Sequence, residues 1–440
     1  MSRISGGVDG LGVRFDDSSL VADAGLLLAG TVMGRLGLES LIDEAVSPPG
    51  SGRGSGAKAL TVVSSMLVGG ACIDDADRLR AASAGSVLPF AVAAPSTLGT
   101  WLRSFSWGHV RQLDRVGELA LGRAWSLGAA AGVKEVTVDV DSTVCEVFGA
   151  AKQGAAYGHT GVLGYHPLVA VRDDTGEVLH TRMRSGSSQR GHARFVVETL
   201  ARLSRLVPDT EVTLRADAGF FSYGLIDAIE SRGACYSVTV PQNKLVKAAV
   251  EAIDDNDWTP IAYTHAGEAQ VAETAIVTGP RSRGGSRTLR LVVRRSRLTG
   301  PQAALWPDWR HHCFITNRTD LDTTAADTYH RAHARVELAI RDLKDNGLAH
   351  CPSGRFNANA AWLTCAALAH NTARWCARLG RTQHPHKLTT AATIRKQLLN
   401  IPGRLVNHAG RLILRLPAHW PWANTFTQAL THLRNLPLLI

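Results

Sequence analysis

The C-terminal part of the sequence lacks acidic residues. After Asp345 there is no aspartate or glutamate, whereas the same 95 residues contain eleven of the 48 arginines and lysines. The formal net charge is +10, so the rest of the chain is close to neutral and the excess positive charge lies in this segment. Four tryptophans within it indicate that it is folded. A folded surface with charge of one sign favours a polyanionic partner, and nucleic acid is the most common one.

Cysteine pairs with metal-ligand spacing and long apolar runs are also missing. The seven cysteines are scattered and none forms a CxxC pair, which argues against both a zinc ribbon and a disulfide framework. The N-terminal stretch GLLLAGTVMGRLGLESLI is interrupted by Arg35 and Glu39, so the sequence predicts neither a secretion signal nor a membrane span. These observations predict a cytoplasmic protein with reduced thiols and no membrane partner.

Residues 136–144, VTVDVDSTV, form an apolar strand with two carboxylates. Side chains alternate along a strand, so Asp139 and Asp141 are expected on one face and the intervening valines on the other. Two adjacent buried anions are costly unless a cation binds them. The pattern resembles two motifs: the DxDxT nucleophile strand of dehalogenase-like phosphatases and the first catalytic strand of RNase H-like nucleases and transposases. A strand end with two solvated aspartates is the third alternative.

The elements predicted after this strand separate the two motifs. Two β-runs in PLVAVRDDTGEVLHTRMR are followed by the helix HARFVVETLARLSRL, the strand EVTLRADAGFF, the helix SYGLIDAIESRG and the strand CYSVTVP. Dehalogenase-like enzymes continue into a doubly wound β/α pattern, whereas a meander followed by alternating helix and strand favours an RNase H-like fold. Before the strand, residues 20–46 and 57–130 have helical periodicity, and APSTLGTWLRSF is a candidate DNA-recognition helix.

Two further carboxylates complete a candidate metal site. Asp217 follows the apolar run of the second strand, in RADAGFF. Glu337 lies in YHRAHARVELAIRDLKDNG, a predicted helix over 329–347 that ends at Gly347. At about 100° per residue, Glu337 shares one helix face with His330, His333, Arg341 and Lys344. An ordinary solvated face with a Glu337 to Arg341 ion pair is the alternative.

These segments together resemble the DDE transposases of bacterial insertion sequences, specifically transposase DDE domain group 1. The resemblance runs from about residue 136 to 376 through DVDST, GYHPLVAV, LRADAGFF, the Glu337 helix and GRFNANAAWLTCAALAHN. The helix in that family reads tyrosine, two residues, arginine, three residues, glutamate, six residues, lysine. Glu337 and Lys344 match this spacing, whereas His330 and His333 stand at the tyrosine and arginine positions.

The resemblance implies an α/β fold. The expected RNase H-like catalytic core has a mixed five-stranded sheet with flanking helices, and a β-rich insertion interrupts it. The implied regions are a helical N-terminal DNA-binding or dimerisation region (1–130), the first part of the core (131–240), the insertion (241–315), the second part of the core (316–380) and a basic C-terminal region (381–440).

The resemblance also implies a chemistry and its residues. Asp141, Asp217 and Glu337 would be the catalytic residues and the ligands of two Mg²⁺ or Mn²⁺ ions, with Asp139 as the alternative first ligand. Oxygen donors of this type suit such cations. Bound ions would support in-line cleavage of a phosphodiester and then strand transfer.

Double-stranded DNA is the implied partner, as the terminal inverted repeats of the element and as the target, with a homodimer expected in the DNA complex. A bacterial, nucleoid-associated location in the cytoplasm follows from this expectation. In related transposases the insertion touches the transposon end, so a tryptophan there would stack an extruded base. The expected DNA contacts are Lys344, Arg341, His333, Arg331, Arg294, Arg295, Trp306, Trp309, Arg404, Arg411 and Arg415.

Two other functions remain open from the sequence. A domesticated or inactive DNA-binding protein would keep the fold but lose a carboxylate, and all three are present. A cellular RNase H-like nuclease would not need the arginine-rich insertion together with the basic C-terminal region. The cut-and-paste transposase therefore explains more of the sequence than either alternative.

Overall fold

A computed structural model describes residues 11–50, 52–81, 83–130, 134–158, 160–263, 267–278, 286–298, 309–382 and 388–439. It is a mixed α/β structure in which helices surround a large central sheet. Within the described ranges, no helix is both long and apolar enough to cross a membrane.

The N-terminal third is helical, as the periodicity of 20–46 and 57–130 predicts. A two-residue strand, β1 (Leu20–Val21), precedes six helices. These are α1 (Leu26–Arg35), α2 (Leu38–Ala45), α3 (Ser55–Leu67), α4 (Ala76–Ala81), α5 (Pro95–Arg103) and α6 (Trp107–Ser126).

Helix α5 is the predicted DNA-recognition helix, and its apolar face belongs to the core. Leu98, Trp101 and Leu102 are buried on this face, and the Trp101 indole nitrogen donates to Ser55 Oγ at 3.2 Å. Only the opposite, polar face of α5 is exposed to solvent. The hydrophobic spacing that indicated a recognition helix therefore reflects packing against the rest of the helical region.

The middle of the chain supplies most of the strands. They alternate with three helices, α7 (His192–Leu206), α8 (Tyr223–Glu230) and α9 (Lys244–Glu251). The strands are β2 (Glu135–Ser142), β3 (Cys145–Glu146), β4 (Ala156–Tyr157), β5 (Leu163–Tyr165), β6 (Leu168–Arg172), β7 (Val178–Arg182), β8 (Glu211–Ala216), β9 (Cys235–Thr239), β10 (Thr259–Pro260), β11 (Gly267–Thr278), β12 (Arg287–Leu298) and β13 (Arg310–Thr316).

Nine of these strands form the central sheet, in the order β10-β11-β12-β13-β9-β8-β2-β6-β7. Strand β8 pairs in parallel with both β2 and β9, and β2, β6 and β7 form the predicted antiparallel meander. Strands β3, β5 and β4 form a separate small sheet. Strands β8 and β2 are the sixth and seventh in this order, so both are interior strands and their carboxyl ends lie side by side.

The β-rich segment predicted at 241–315 continues the central sheet. Strand β13 pairs antiparallel with β9, and β12 and β11 add a long hairpin beyond it. The described strands of this segment are therefore joined to the core strands by backbone hydrogen bonds.

The glutamate helix is divided in two. Helix α10 (Thr323–Arg331) leads into a 3₁₀ segment, Ala332–Arg335, which is followed by α11 (Val336–Leu343). The chain then turns through Gly347, whose φ of 94° suits glycine. A 3₁₀-helix turns by about 120° per residue, whereas an α-helix turns by about 100°. The four residues of the 3₁₀ segment therefore rotate the side chains of α11 by roughly 80° relative to those of α10, compared with one continuous α-helix.

This rotation makes one part of the predicted helix face wrong. His330 does not share a face with Glu337; its ring is buried and stacks on Phe314 at 4.0 Å between centroids. Its ring nitrogens bond the hydroxyls of Ser237 and Thr239 at 2.8 and 3.0 Å. His330 therefore fixes α10 to the sheet.

The C-terminal part packs back on the N-terminal helices. The long helix α12 (Phe356–Leu379) is buried along most of its length and contacts α1, α3 and α6. The remaining elements are α13 (Ala391–Ile394), β14 (Gly403–His408), β15 (Arg411–Arg415) and α14 (Ala423–Arg434). Strand β14 lies between β1 and β15 in a third sheet, so the two ends of the described chain are joined by strand pairing.

Candidate active site

The parallel pairing of β2 and β8 places the strand carboxylates side by side. Asp139 lies opposite Arg215, and Val140 lies opposite Ala216. Asp141 and Asp217 are the next residues along each strand direction, so they lie at the same edge of the sheet. Val138 and Val140 are fully buried on the opposite face, as the alternation of side chains predicts.

Asp139 has a protein cation as its partner. Arg215 donates from Nε to Asp139 Oδ1 at 2.7 Å and from Nη2 to Oδ2 at 2.8 Å. Both side chains are 1% exposed. Charge-assisted bidentate pairs of this kind are strong and directional. The sequence predicted that a cation compensates the two aspartates. For Asp139, this cation is the guanidinium of Arg215 on the neighbouring strand.

The same ion pair reaches the glutamate helix. Arg215 Nη1 donates to the carbonyl oxygen of Tyr329 at 2.7 Å, near the end of α10. His333 Nδ1 lies 2.8 Å from Asp139 Oδ1. Asp173 binds Arg215 at 2.9 Å and Arg335 at 3.0 Å. These contacts hold the 3₁₀ segment before Glu337 against β2 and β8.

Asp141, unlike Asp139, has no arginine partner among the residues that the structure describes. Its Oδ1 accepts the Ser142 N–H at 2.6 Å. Burial, together with the negative charges of Asp217 and Glu337, raises the pKa of Asp141 to about 6, against the opposing effects of the Ser142 N–H and His333. The charges of Asp217 and Glu337 thus act on Asp141, and a carboxylate in this environment is stabilised by an added cation.

Asp217 and Glu337 are exposed at the same edge. Asp217 ends β8, and its Oδ1 accepts the Gly219 N–H at 3.1 Å, which caps a short 3₁₀ turn. Glu337 lies in the first turn of α11, where the helix dipole favours a negative charge. Both side chains face solvent from well-defined backbone positions.

The donor set fits a divalent metal in chemistry and charge. Three carboxylates supply the oxygen ligands that Mg²⁺ and Mn²⁺ prefer, and among the described residues the half-buried Asp141 lacks the paired cation that Asp139 has. Among the residues that the structure describes, no three acidic, histidine or cysteine side chains are close enough to form a ready-made metal cluster. The site therefore has suitable ligands, and their side chains would have to move inward to share an ion.

The cationic residues predicted around Glu337 differ in their availability. Arg331 binds the buried Asp327 at 2.9 Å, and Arg294 from β12 binds the same carboxylate at 2.7 Å. His333 is bound to Asp139. Arg341 is exposed and Lys344 is half-buried on α11 and the turn after it. Of the predicted phosphate contacts here, Arg341 and Lys344 are the most accessible.

Trp309 lies in a stack of arginines on the β11–β12 hairpin. The Arg295 guanidinium is 4.7 Å from the centroid of the Trp309 ring and 4.1 Å from that of Trp258. Arg297 is 4.6 Å from the Trp309 ring. Cation–π contacts already occupy this indole. Trp306, the other predicted stacking residue, lies outside the described residues.

The three predicted contacts in the C-terminal region lie on β14 and β15. Arg404 binds Asp17 at 2.6 Å. Arg411 and Arg415 are exposed, together with Leu412 and Ile413 between them. Strand β15 is at the edge of its sheet, so its arginines face solvent.

Arg215 is the main site residue that the sequence analysis missed. Its signal was present, because RADAG repeats the spacing of DVDST: a charged residue lies two positions before each edge carboxylate. If the two strands are neighbours in parallel register, Arg215 must face Asp139. That register depends on long-range pairing, which the spacing alone did not establish.

Comparison with known proteins gives one family. The family described as transposase DDE domain group 1 matches residues 8–438. A search of curated proteins found no match. Among solved structures, one similar chain is the piggyBac transposase in a cryo-EM structure of its synaptic complex with hairpin DNA. The TM-score is 0.41 and the identity 12%, over 85% of this chain and 78% of that one.

Proposed function

Because the chain belongs to the transposase DDE domain group 1 family, we propose that it binds the terminal inverted repeats of its own element, cuts DNA there and joins the ends to a target. The catalytic core would be RNase H-like. Its five strands would be β2, β6, β7, β8 and β9, which are neighbours in the sheet in the order β7-β6-β2-β8-β9. Numbered along the chain, this order is 3-2-1-4-5.

One observation carries the assignment of the active site. Asp141 is a half-buried carboxylate, and burial together with the charges of Asp217 and Glu337 raises its pKa to about 6. These are the three residues that the family pattern marks as catalytic. Asp139 is the less suitable first ligand in this proposal, because Arg215 donates to both of its oxygens.

The residues of the chain have separate tasks in this proposal. Asp141, Asp217 and Glu337 would hold two Mg²⁺ or Mn²⁺ ions. When bound, such ions activate the attacking hydroxyl and stabilise the leaving oxygen in a displacement at phosphorus. Asp139, Arg215 and His333 would hold the Glu337 segment against the strands, so that the third carboxylate is kept near the other two.

DNA contacts would come from several surfaces. Arg341 and Lys344 would lie nearest the scissile phosphate, and Arg411 and Arg415 would contact duplex further along. The helical region 1–130 would bind the inverted repeat or a second copy of the chain, and a homodimer would bring two ends together. The regions 241–315 and 381–440 would extend the DNA-binding surface.

Cleavage is expected to require a divalent ion. Purified protein should nick a duplex carrying the inverted repeat that flanks its gene in Mg²⁺ or Mn²⁺, and not in EDTA. Ca²⁺ should support binding without cleavage, because its longer and more flexible coordination does not fit the compact geometry of the reaction. A denaturing gel measures the nicked strand. Full cleavage in EDTA would contradict the proposed chemistry.

The arginines of β15 are expected to contribute to binding any duplex. Changing Arg411 and Arg415 to glutamine should weaken binding to specific and random DNA alike and flatten the slope of log K against log salt by about 0.9 per lost phosphate contact. Stability should change by no more than about 0.5 kcal/mol, since both side chains are exposed.

Arg404→Gln is the matched control for this measurement, because Asp17 already binds the Arg404 guanidinium. Its salt slope should change less than that of the double variant. Fluorescence anisotropy at several salt concentrations gives both slopes. An unchanged slope in the double variant, with a loss of dimers in sedimentation, would instead place β15 at a protein interface.

A further inference from the structure

One buried arginine near the candidate active site has no acidic partner in the described part of the chain. Arg184 follows β7 and is 7% exposed. Among the described residues, no carboxylate forms an ion pair with it, and burial lowers the pKa of its guanidinium to about 10. Burying a cation without a counter-ion is unfavourable.

The other buried arginines show that this is unusual for the protein. Each of the remaining five that the structure describes as buried has a carboxylate within ion-pair distance. Their partners are Asp174 for Arg172, Asp114 for Arg202, Asp139 for Arg215, Glu135 for Arg318 and Asp342 for Arg374. Arg184 is therefore the exception, and an anion from outside the chain would compensate its charge.

The hydrogen bonds of Arg184 go to carbonyl oxygens and histidine ring nitrogens. Its Nε donates to the carbonyl oxygen of His166 at 2.9 Å, and its Nη1 donates to that of Arg190 at 3.1 Å. Nη1 also lies 2.9 Å from His192 Nε2, and Nη2 lies 3.5 Å from His166 Nδ1. Arginine can only donate, so His192 must accept at Nε2 and carry its proton on Nδ1. Burial and the charges of Arg184 and His166 lower the pKa of His192 to about 4, which agrees with a neutral ring.

The guanidinium lies at the N-terminus of α7. This 15-residue helix starts at His192, after Gly191 with φ 93°, and no side chain caps it or places an acidic group in its first turn. Helix N-termini present N–H groups and a partial positive charge to anions. The buried cation and the uncapped helix thus favour the same kind of ligand at the same place.

This place adjoins the carboxylates. The His192 ring packs on Phe220 at 4.4 Å between centroids, and Phe220 belongs to the 3₁₀ turn that Asp217 caps. His166 precedes Pro167, whose carbonyl accepts the Thr143 N–H at 3.1 Å beside the end of β2. In the segment before α7, Ser187, Gln189, Arg190 and Gly191 are exposed to solvent.

We propose that Arg184 and the N-terminus of α7 form a binding site for a DNA backbone phosphate next to the carboxylates. The site deepens the proposed function and rests on it for the source of the phosphate. It would fix the strand entering the active site, at a phosphate close to the one that is cut. Arg184 would thus bind a backbone phosphate of the DNA and position the strand for cleavage.

The test compares Arg184→Gln with Arg194→Gln in Ca²⁺. Arg194 is on the first turn of the same helix, but its side chain is 77% exposed and pairs with Glu198. Arg184→Gln should weaken binding to the inverted-repeat duplex at least about tenfold, as loss of a charged hydrogen-bond partner does. Arg194→Gln should stay near wild type. Equal affinity and salt slope in wild type and Arg184→Gln overturn the proposal.

A methylphosphonate scan locates the contact in the wild-type protein, independently of how the variants fold. Neutralising one phosphate near the cut should weaken wild-type binding, and Arg184→Lys should lose less from the same replacement, because an ammonium does not reproduce the position of the guanidinium donors. An equal loss at every position in both proteins overturns the proposal.

Binding of inorganic phosphate tests the proposed phosphate site independently of the proposed transposase function. At constant ionic strength, phosphate should raise the melting temperature of wild type and Arg194→Gln more than that of Arg184→Lys. If wild type fails to bind inverted-repeat DNA, the proposed function is wrong, and the phosphate measurement alone decides on the site. An identical phosphate effect in all three proteins then overturns it.

Discussion

Changing Asp141 to asparagine is expected to reduce DNA cleavage by about a hundredfold to a thousandfold or more, while duplex affinity stays nearly unchanged. The carboxylate would hold a cation in the transition state, and removing one such electrostatic partner has effects of this size. In the proposed function, the phosphate contacts would come from other residues. Asp217→Asn and Glu337→Gln should behave in the same way.

The control is Asp345→Asn, which removes an exposed carboxylate from the same helical segment as Glu337. It should cut at the wild-type rate. Cleavage is followed with labelled duplex in Mg²⁺, and binding is measured in Ca²⁺. Full cleavage by Asp141→Asn, with loss in a folded Asp139→Asn, would move the first ligand to Asp139.

The stability of Asp141→Asn separates the two aspartates further. The pKa of Asp141 is raised from 3.8 to about 6, so the folded state holds its proton more tightly than the unfolded chain does. Stability is therefore lost as pH rises between these values. Removing the carboxylate should leave the metal-free melting temperature at neutral pH unchanged or higher, and should flatten its decline over this range.

Local patterns predicted the elements well where packing agrees with them. Helix α7 runs from His192 to Leu206, the same residues whose apolar spacing predicted an amphipathic helix. The strands predicted in VTVDVDSTV, EVTLRADAGFF and CYSVTVP are also present. In each of these elements one face is buried, and this burial sets the spacing of the apolar residues. The element can therefore be predicted from the residues of the segment alone.

Features that depend on distant contacts were not predictable in the same way. Because of the 3₁₀ segment before Glu337, the His330 side chain packs against the sheet. There its ring stacks on Phe314 and forms hydrogen bonds with two hydroxyl groups. No local signal distinguishes this from a continuous helix. The pairing of Arg215 with Asp139 likewise depends on the register of two strands 76 residues apart.

Breaking the Asp139–Arg215 pair is expected to destabilise the fold by up to about 3–5 kcal/mol, because each single change removes the bidentate partner of a buried charge. Asp139→Asn leaves the buried guanidinium with Asp173 as its acidic partner, and Arg215→Gln leaves the buried Asp139 carboxylate with His333. The double variant Asp139→Asn/Arg215→Gln should lose much less than the sum, since both charges are gone. Urea unfolding at neutral pH measures all three free energies.

Activity should follow the position of Glu337 in these variants. Arg215 also holds Tyr329, and Asp139 holds His333, so a folded double variant keeps the three ligands but loses the contacts that fix the 3₁₀ segment. It should therefore bind DNA normally and cut more slowly than wild type, with a higher requirement for Mg²⁺. Additive losses of stability would contradict the pairing, and wild-type cleavage by a folded double variant would show that Glu337 is positioned by other contacts.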